Sequence, residues 1–495
     1  MATVTVIGSG AAGLTAALAA RLTGASATVY ERYEHVGGTT ALSGGNAWLP
    51  AHHQLDDDTP EAALTYLRAL ALGDADDDGL RAFAHGARAT AEWVERETSL
   101  ELAPLAYPDY HAEFAGGRPQ GGRTLEPQPY RPSPRAARLV RDAPNVTAPI
   151  TYAELAGGAI DRELLRERRA AGIVTMGRAL VAGLLDACLA AGVVVETGRR
   201  VRTLPDEGAV VLATGGFERN PQLARAFLRG PVRAPVGAGG AEGDGLRMAM
   251  GAGAQLGCMS EAWWCPAISI PGEMLDGGAM YRLILTERAR PGSLIVDTAG
   301  RRFVDEAQNY NDLGRTMLNF EATSYSLPHA RAWLVFDGAY RKRYRVGPLG
   351  RRDPDPPWLD RADELGTLAE RIGVPPTALE STVEVFNAHA ENGEDPDFGR
   401  GSFPYDRFMG DLGPLGDGPY YALALHPGCL GTKGGPRTDV DGRVLAAADG
   451  APIPRLHAAG NAAASPFGLG YPGAGATLGQ ALFQGLRAGT QAAGG

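Results

Sequence analysis

Residues 3–31 read TVTVIGSGAAGLTAALAARLTGASATVYE, and the fold turns on how this stretch is parsed. "TVTVIG" is a short β-branched apolar run, which favours a strand. "GSGAAG" is a turn, and "LTAALAARLTG" is built of strong helix formers and stops at Gly24. "SATVYE" is a second β-branched run, so about thirty residues form one strand–helix–strand unit, parallel by the right-handed crossover rule. Gly8, Gly10 and Gly13 have the G-x-G-x-x-G spacing, after a strand and opening a helix, and Glu31 follows eighteen residues after Gly13. Bare backbone at such a turn lets N–H groups approach a pyrophosphate, while the acid takes a ribose hydroxyl. The motif predicts a dinucleotide but does not separate FAD from NAD.

Working outward, 495 residues are too many for one ordinary domain and suit two, one inserted in the other. The net charge is −10 (47 basic, 57 acidic residues), which leaves no basic footprint for nucleic acid. The chain opens directly in a strand, so no secretory signal is expected. No run of about 18 apolar residues is present, so no membrane span is expected either. A cytoplasmic enzyme follows, with room for loose peripheral membrane association. Cys188, Cys258, Cys265 and Cys429 are scattered and read as buried thiols in a reducing compartment. His52–His53 reads as a solvated loop.

The next loop favours a flavin. "GGTTALSGG" (37–45) offers the hydroxyls of Thr39, Thr40 and Ser43 beside the bare backbone of Gly38, Gly44 and Gly45. These suit a ribityl chain and ring system more than a nicotinamide. Residues 100–150 look like a long excursion. A helix at "MGRALVAGLLDACLAAG" and strands at "VVVETG" and "GAVVLATGGFERN" return to the sheet, bringing Ala213, Thr214 and Gly215 to a second glycine turn. "GDGLRMAMGAGAQL" is a further glycine-opened helix carrying Asp244. From about 263 to 424 the texture changes, with strands expected at "GSLIVDTAGRRFVDE" and "RAWLVFD". Asp441-Gly442 marks a hairpin turn, and "RLHAAGN" (455–461) reads as the last strand. "GLGYPGAGATLGQAL" (468–482) follows it as a second glycine-rich loop, unusual in carrying a tyrosine.

The ordered set "GSGAAG", "GGTTALSGGNAWLP", "ATGGFERN", "GDGLRMAMGAGA" and "AAGN…GATLG" resembles the FAD-dependent fumarate reductase/3-ketosteroid dehydrogenase superfamily over nearly the whole chain. The resemblance implies an α/β fold, with a Rossmann-like, glutathione-reductase-type FAD-binding domain built from both chain ends. The implied boundaries are 1–262 and 425–495 for that domain, and 263–424 for an inserted α+β catalytic domain. FAD would be bound non-covalently. Ala12, Val201, Asp244, Gly460, Asn461, Gly475, Ala476 and Leu478 would join the glycines and hydroxyls already named on the cofactor.

Fumarate reductases in this superfamily carry an arginine a few residues after an "RFVNE"-like strand and another on the C-terminal loop. Here "RRFVDEAQNYND" places Tyr310 at the first position, and "GYPGAG" holds Tyr471 at the second. Phenols in place of charged clamps imply an uncharged, ketone-bearing substrate. With "YPDYHAE…GGRP" (107–119), the pattern resembles the 3-ketosteroid Δ1-dehydrogenases. That resemblance implies that the Tyr471 hydroxyl and the Gly475 N–H polarise the 3-keto oxygen. Tyr310, assisted by Tyr110 (or its neighbour Tyr107), would take the proton from carbon 2, and hydride would pass from carbon 1 to the flavin. A quinone or other acceptor would reoxidise the cofactor. The match is weakest over 120–170, so the same chemistry on a non-steroid cyclic ketone or enone is the alternative.

Overall fold

The structure, a computed structural model, describes residues 2–73, 75–146, 148–158 and 161–494. It divides into two compact units: Met1–Phe227 with Gly237–Ala262 and Gly431–Gly495, and Leu228–Val236 with Trp263–Leu430. The first unit is therefore drawn from both ends of the chain.

Its centre is a six-stranded sheet. β1 (Thr3–Ile7) pairs in parallel with β2 (Ser26–Tyr30) on one side and with Ala209–Leu212 on the other. Val194–Glu196 extends the sheet beyond β2, and Pro452–Ala458 continues it beyond Ala209–Leu212. Arg443–Leu445 closes that edge antiparallel to Pro452–Ala458, and the tight turn leading into it contains Gly442, at φ +81. Helix α1 (Ala11–Leu22) connects β1 to β2, and Gly24 leaves it at φ +101. Ile7, Val210, Leu212, Met248, Val444 and Leu456 form the apolar layer on one face of this sheet.

Alanines dominate α1 because another helix lies almost on its backbone. Residues 11–20 are all buried. A Cβ on Gly485 would stand 2.6 Å from the Ala12 carbonyl oxygen, and one on Gly489 2.1 Å from that of Ala16. Both glycines belong to the C-terminal helix, Ala476–Ala492. The last helix of the chain is thus seated on the first, which brings the 468–475 loop back to the N-terminal unit.

The excursion after residue 100 also joins this unit. Ala47–Trp48, Thr124–Pro127 and Leu102–Leu105 form a small antiparallel sheet, with Trp48 opposite Thr124 and Leu105 opposite Thr124 on its other edge. In the second unit, Gly278–Leu283, Ala262–Leu275, Tyr420–Thr432, Ala332–Asp337 and Ser293–Asp297 lie in that order in one sheet. Its two faces bury Ile295, Leu334 and Phe336, and Leu294, Trp333 and Val335.

Two sequence expectations are corrected. The strand at 292–306 ends at Asp297, because Arg302, Asp305 and Glu306 leave the ladder for buried polar partnerships. Glu306 accepts from Arg302 at 2.8 Å, and Arg302 also reaches Asp395 at 2.7 Å. His52 is fully buried, its Nε2 2.8 Å from the Gly122 carbonyl, whereas His53 pairs with Glu95. No disulfide joins the four cysteines; Cys188, Cys265 and Cys429 are buried and Cys258 only partly so, and burial pushes the Cys188 thiol up to about 12. Among the described residues no helix is long and apolar enough to cross a membrane.

Gly489→Ala is expected to cost ~3 kcal/mol, since neither backbone can retreat from the added methyl. A thermal melt of the holoprotein should show the transition lowered by roughly 3–5 °C.

Candidate active site

The glycines of the N-terminal loop divide by what they face. A Cβ on Gly8 (φ +109) would stand 2.3 Å from the Ala213 carbonyl oxygen, and one on Gly13 1.9 Å from that of Gly8. These two permit the strand, turn and helix to close on one another. Gly10 meets only the Thr40 hydroxyl at 3.5 Å and the Gly37 carbonyl at 3.9 Å, and Gly38 (φ +49) and Gly215 (φ +75) face open space. These form the cradle's open side, where a cofactor's backbone-contacting groups fit.

The polar residues around them are organised. Glu31 is buried and accepts from Ser9 N (3.2 Å), Ser9 Oγ (2.5 Å) and Tyr33 N (3.0 Å). Thr40 Oγ1 accepts from Ala11 N at 3.1 Å, and Thr39 Oγ1 from Ala238 N at 3.0 Å. Ser43 Oγ donates to the Thr40 carbonyl (2.7 Å) and accepts from Gly45 N (3.1 Å). Thr214 Oγ1 accepts from Gly245 N, and Asp244 is held bidentate by Arg200, next to Val201. Gly460 (φ +64) approaches Ala12 closely and, with Asn461, forms a 3₁₀ turn. Its N–H donates to Gln484. The buried Oδ1 of Asn46, one residue past the flavin loop, has no hydrogen-bond partner among the described residues. An orphaned acceptor beside open glycine faces and a helix N-terminus fits FAD.

The small sheet positions the tyrosines of this unit. Tyr107 and Tyr110 lie in the connection between strands Leu102–Leu105 and Thr124–Pro127. The Tyr110 and Tyr471 rings stand edge to face with centroids 5.2 Å apart; Tyr107 is 6.5 Å from Tyr110. The loop carrying Tyr471 is fastened by its carbonyls. Those of Gly468, Leu469 and Gly470 accept from the buried Lys433 ammonium at 3.1, 3.0 and 2.6 Å. The Pro472 carbonyl takes the Tyr66 hydroxyl (2.7 Å) and Tyr110 N (3.1 Å), and that of Ala474 takes the Thr124 hydroxyl. The Tyr471 hydroxyl lies 3.2 Å from Thr477 Oγ1. Gly475 caps the 17-residue helix at φ +92, and its N–H donates no hydrogen bond among the described residues. It points from the positive end of a helix. Ala476 and Leu478 follow on the first turn, both buried.

Beneath both loops is an ion cluster that no sequence motif marks. Arg123 donates to Asp58 through Nε (2.8 Å) and Nη2 (2.6 Å), and to Asp109 through Nη1 (2.8 Å). Asp109 also accepts from Trp48 Nε1 (2.7 Å) and Arg118 N (3.1 Å). Asp109 directly precedes Tyr110, so the cluster fixes that loop; a Cβ on Gly473 would strike the Trp48 ring at 2.5 Å, so it also bounds the other.

Tyr310 belongs to the second unit. It opens the helix Tyr310–Thr316, which Asn309 caps by accepting from Asp312 N, and it is 6% exposed. The fully buried Arg288 guanidinium donates to the Glu306 and Gln308 carbonyls just before it.

A doubly wound sheet with a phosphate-type glycine loop, a hydroxyl-lined second loop and a tyrosine beside an unspent N–H defines an FAD-dependent oxidoreductase. The family described as FAD binding domain matches residues 3–478. Among similar proteins, the 4-oxocyclohexanecarboxylate 2-dehydrogenase of Sinomonas cyclohexanicum is 40% identical, over 99% of this chain and 92% of its own length. The 3-oxosteroid 1-dehydrogenase of Mycobacterium tuberculosis is 36% identical, over 97% of this chain and 96% of that protein. The structure of the 3-ketosteroid Δ1-dehydrogenase from Sterolibacterium denitrificans, in complex with 1,4-androstadiene-3,17-dione, superposes with a TM-score of 0.92 at 33% identity over the whole of both chains. The chain belongs to this FAD-dependent 3-ketosteroid dehydrogenase family, and it is an oxidoreductase acting on CH–CH groups.

Burial pushes the Asp109 carboxyl up to about 6, against the pull of Arg123 and Trp48. Because its folded pKa lies above the ordinary value of 3.8, the stability this group contributes is complete below that value and lost as pH rises through about 6. Acidification through pH 6 should therefore weaken its grip on Arg123 without lowering the melting temperature through this group. Turnover against pH should fall on the acid side, and Asp109→Asn should abolish that limb.

Proposed function

We propose that the protein oxidises a cyclic ketone to the α,β-unsaturated ketone, with a 3-ketosteroid as the substrate and carbons 1 and 2 as the reacting pair. The observation that carries this is the unspent Gly475 N–H on the same fastened loop as the Tyr471 hydroxyl. Two donors four residues apart on one rigid loop suit a single ketone oxygen. Donors fixed before reaction stabilise the developing enolate without reorganising. A C–H beside a ketone is too weak an acid for an unaided phenol, so this polarisation makes proton removal feasible. Tyr310 takes the proton from carbon 2. Tyr110, packed edge to face on Tyr471, assists it, with its neighbour Tyr107 as the alternative. FAD, when bound, would supply the two-electron acceptor for the hydride leaving carbon 1, with a quinone or other acceptor as its oxidant. The same phenols serve the reverse hydrogenation when the cofactor is supplied reduced. A cytoplasmic location completes the reading.

A second reading is favoured by the 40% identity to a protein named for a monocyclic keto acid. In it the same tyrosines act on a single non-steroid ring.

Anaerobic mixing of the yellow holoprotein with androstenedione, and separately with 4-oxocyclohexanecarboxylate, is expected to bleach the flavin with at least one of them. Tyr471→Phe should slow that bleaching by about 10²–10³-fold, and Tyr310→Phe by about 10²–10⁴-fold. No bleaching with either ketone would sink the reading.

A further inference from the structure

The segment least legible in the sequence holds one side chain that the chemistry above does not use. Tyr152 opens a five-residue helix, Tyr152–Ala156, none of whose residues is buried. Such a short helix has no core to hold it, yet its start is fastened three ways. The buried Glu126 carboxylate accepts from the backbone N–H groups of Tyr152 and Ala153. Thr151 and Glu154 form a reciprocal capping box, and Arg168 clamps Glu154 at 2.7 and 2.8 Å. What this anchoring fixes inward is the Tyr152 ring.

The ring lies directly on the flavin loop. A Cβ on Gly44 would stand 2.3 Å from Tyr152 Cε2 and 3.0 Å from its hydroxyl oxygen. Gly44 does not have a positive φ, so its backbone does not demand glycine; the tyrosine above it does. The hydroxyl has no hydrogen-bond partner among the described residues, and the side chain keeps partial exposure. Burial holds the phenol at about 12, with Tyr107, Glu126 and Tyr471 as its electrostatic neighbours in that order. At neutral pH it is a donor and not a base.

We propose that Tyr152 is a specificity-determining residue of the active site, its hydroxyl donating a hydrogen bond to a second oxygen of the substrate, remote from the reacting ketone. This rests on the ring-ketone reading above and sharpens its substrate class to a ring ketone bearing an oxygenated substituent. A hydroxyl facing only ring hydrocarbon would lose its water without replacement, so the residue rewards a substrate that carries an acceptor there.

The test compares two ketones that differ only in that acceptor, 4-oxocyclohexanecarboxylate and cyclohexanone, with androstenedione as a third substrate. The wild-type holoenzyme should favour the keto acid over cyclohexanone in kcat/KM. Tyr152→Phe should lower that preference about tenfold through KM, with kcat and FAD content unchanged. Glu126→Gln, which leaves the helix start with a weaker acceptor, should act in the same direction and by less. A structural role alone would reduce both ketones equally. A preference unchanged within twofold in Tyr152→Phe overturns the inference. Equal kcat/KM for cyclohexanone and the keto acid in the wild type also overturns it, as does turnover of androstenedione alone with a KM that Tyr152→Phe leaves within twofold, while the ring-ketone reading stands. Bleaching by none of the three overturns both.

Discussion

The Arg123 guanidinium is the constraint on which the N-terminal unit's candidate site depends. It is 1% exposed and divided between Asp58 and Asp109, with the Trp48 and Tyr66 rings each 5.7 Å away. A charge so deeply buried is tolerable only when its partners are all in place, and removing one leaves an uncompensated ion. The partners come from separate stretches: 48–66, 109–123 and, through the Tyr66 hydroxyl on Pro472, the C-terminal loop. None of these stretches can settle without the others. The cluster says little about net stability, but it specifies one arrangement of Tyr110 and Tyr471 among the many that two glycine-rich loops would permit.

The C-terminal loop shows how a flexible sequence becomes a rigid donor. Glycine loses more freedom on ordering than any other residue, so "GLGYPGAG" should wander. Lys433, Tyr66 and Thr124 instead take up its carbonyls, and the helix behind it is seated on α1 through glycines that admit no side chain. With the carbonyls spent, the loop keeps a Gly475 N–H that donates to nothing among the described residues, and the Tyr471 hydroxyl rests 3.2 Å from Thr477 Oγ1. Rigidity of this kind is what an oxyanion-type site needs, since donors that must first reorganise lose much of their effect.

Substrate selection follows a different logic. On the proposed reading, Tyr310 and Tyr471 shift recognition from charge to a single polarised oxygen and the ring around it. On the same reading, discrimination among ring ketones falls to groups outside those tyrosines, such as the Tyr152 helix that Glu126 and Arg168 anchor. Family membership alone therefore fixes the bond that is oxidised more firmly than the molecule that carries it.

The first thirty residues, by themselves, determined the strand–turn–helix–strand start, the glycine spacing and the acid at Glu31, because these depend on local propensity and on steric limits at single positions. The late tyrosine-bearing loop is read differently, through its resemblance to a family motif, because local propensity says only that such a glycine-rich stretch is a loop. Tertiary structure alone decided the rest. The sheet of Ala47–Trp48, Leu102–Leu105 and Thr124–Pro127 has strands of two to four residues, two of them containing proline, too short for any period to show. The expected strand through Arg301–Glu306 failed because buried ion partners, not side-chain alternation, govern that segment. Asp109, Arg123, Lys433 and Glu126 look like ordinary surface charges in the sequence. Their partners lie up to 65 residues away or supply only backbone atoms, and burial, which gives each charge its force, is a property of the assembled chain.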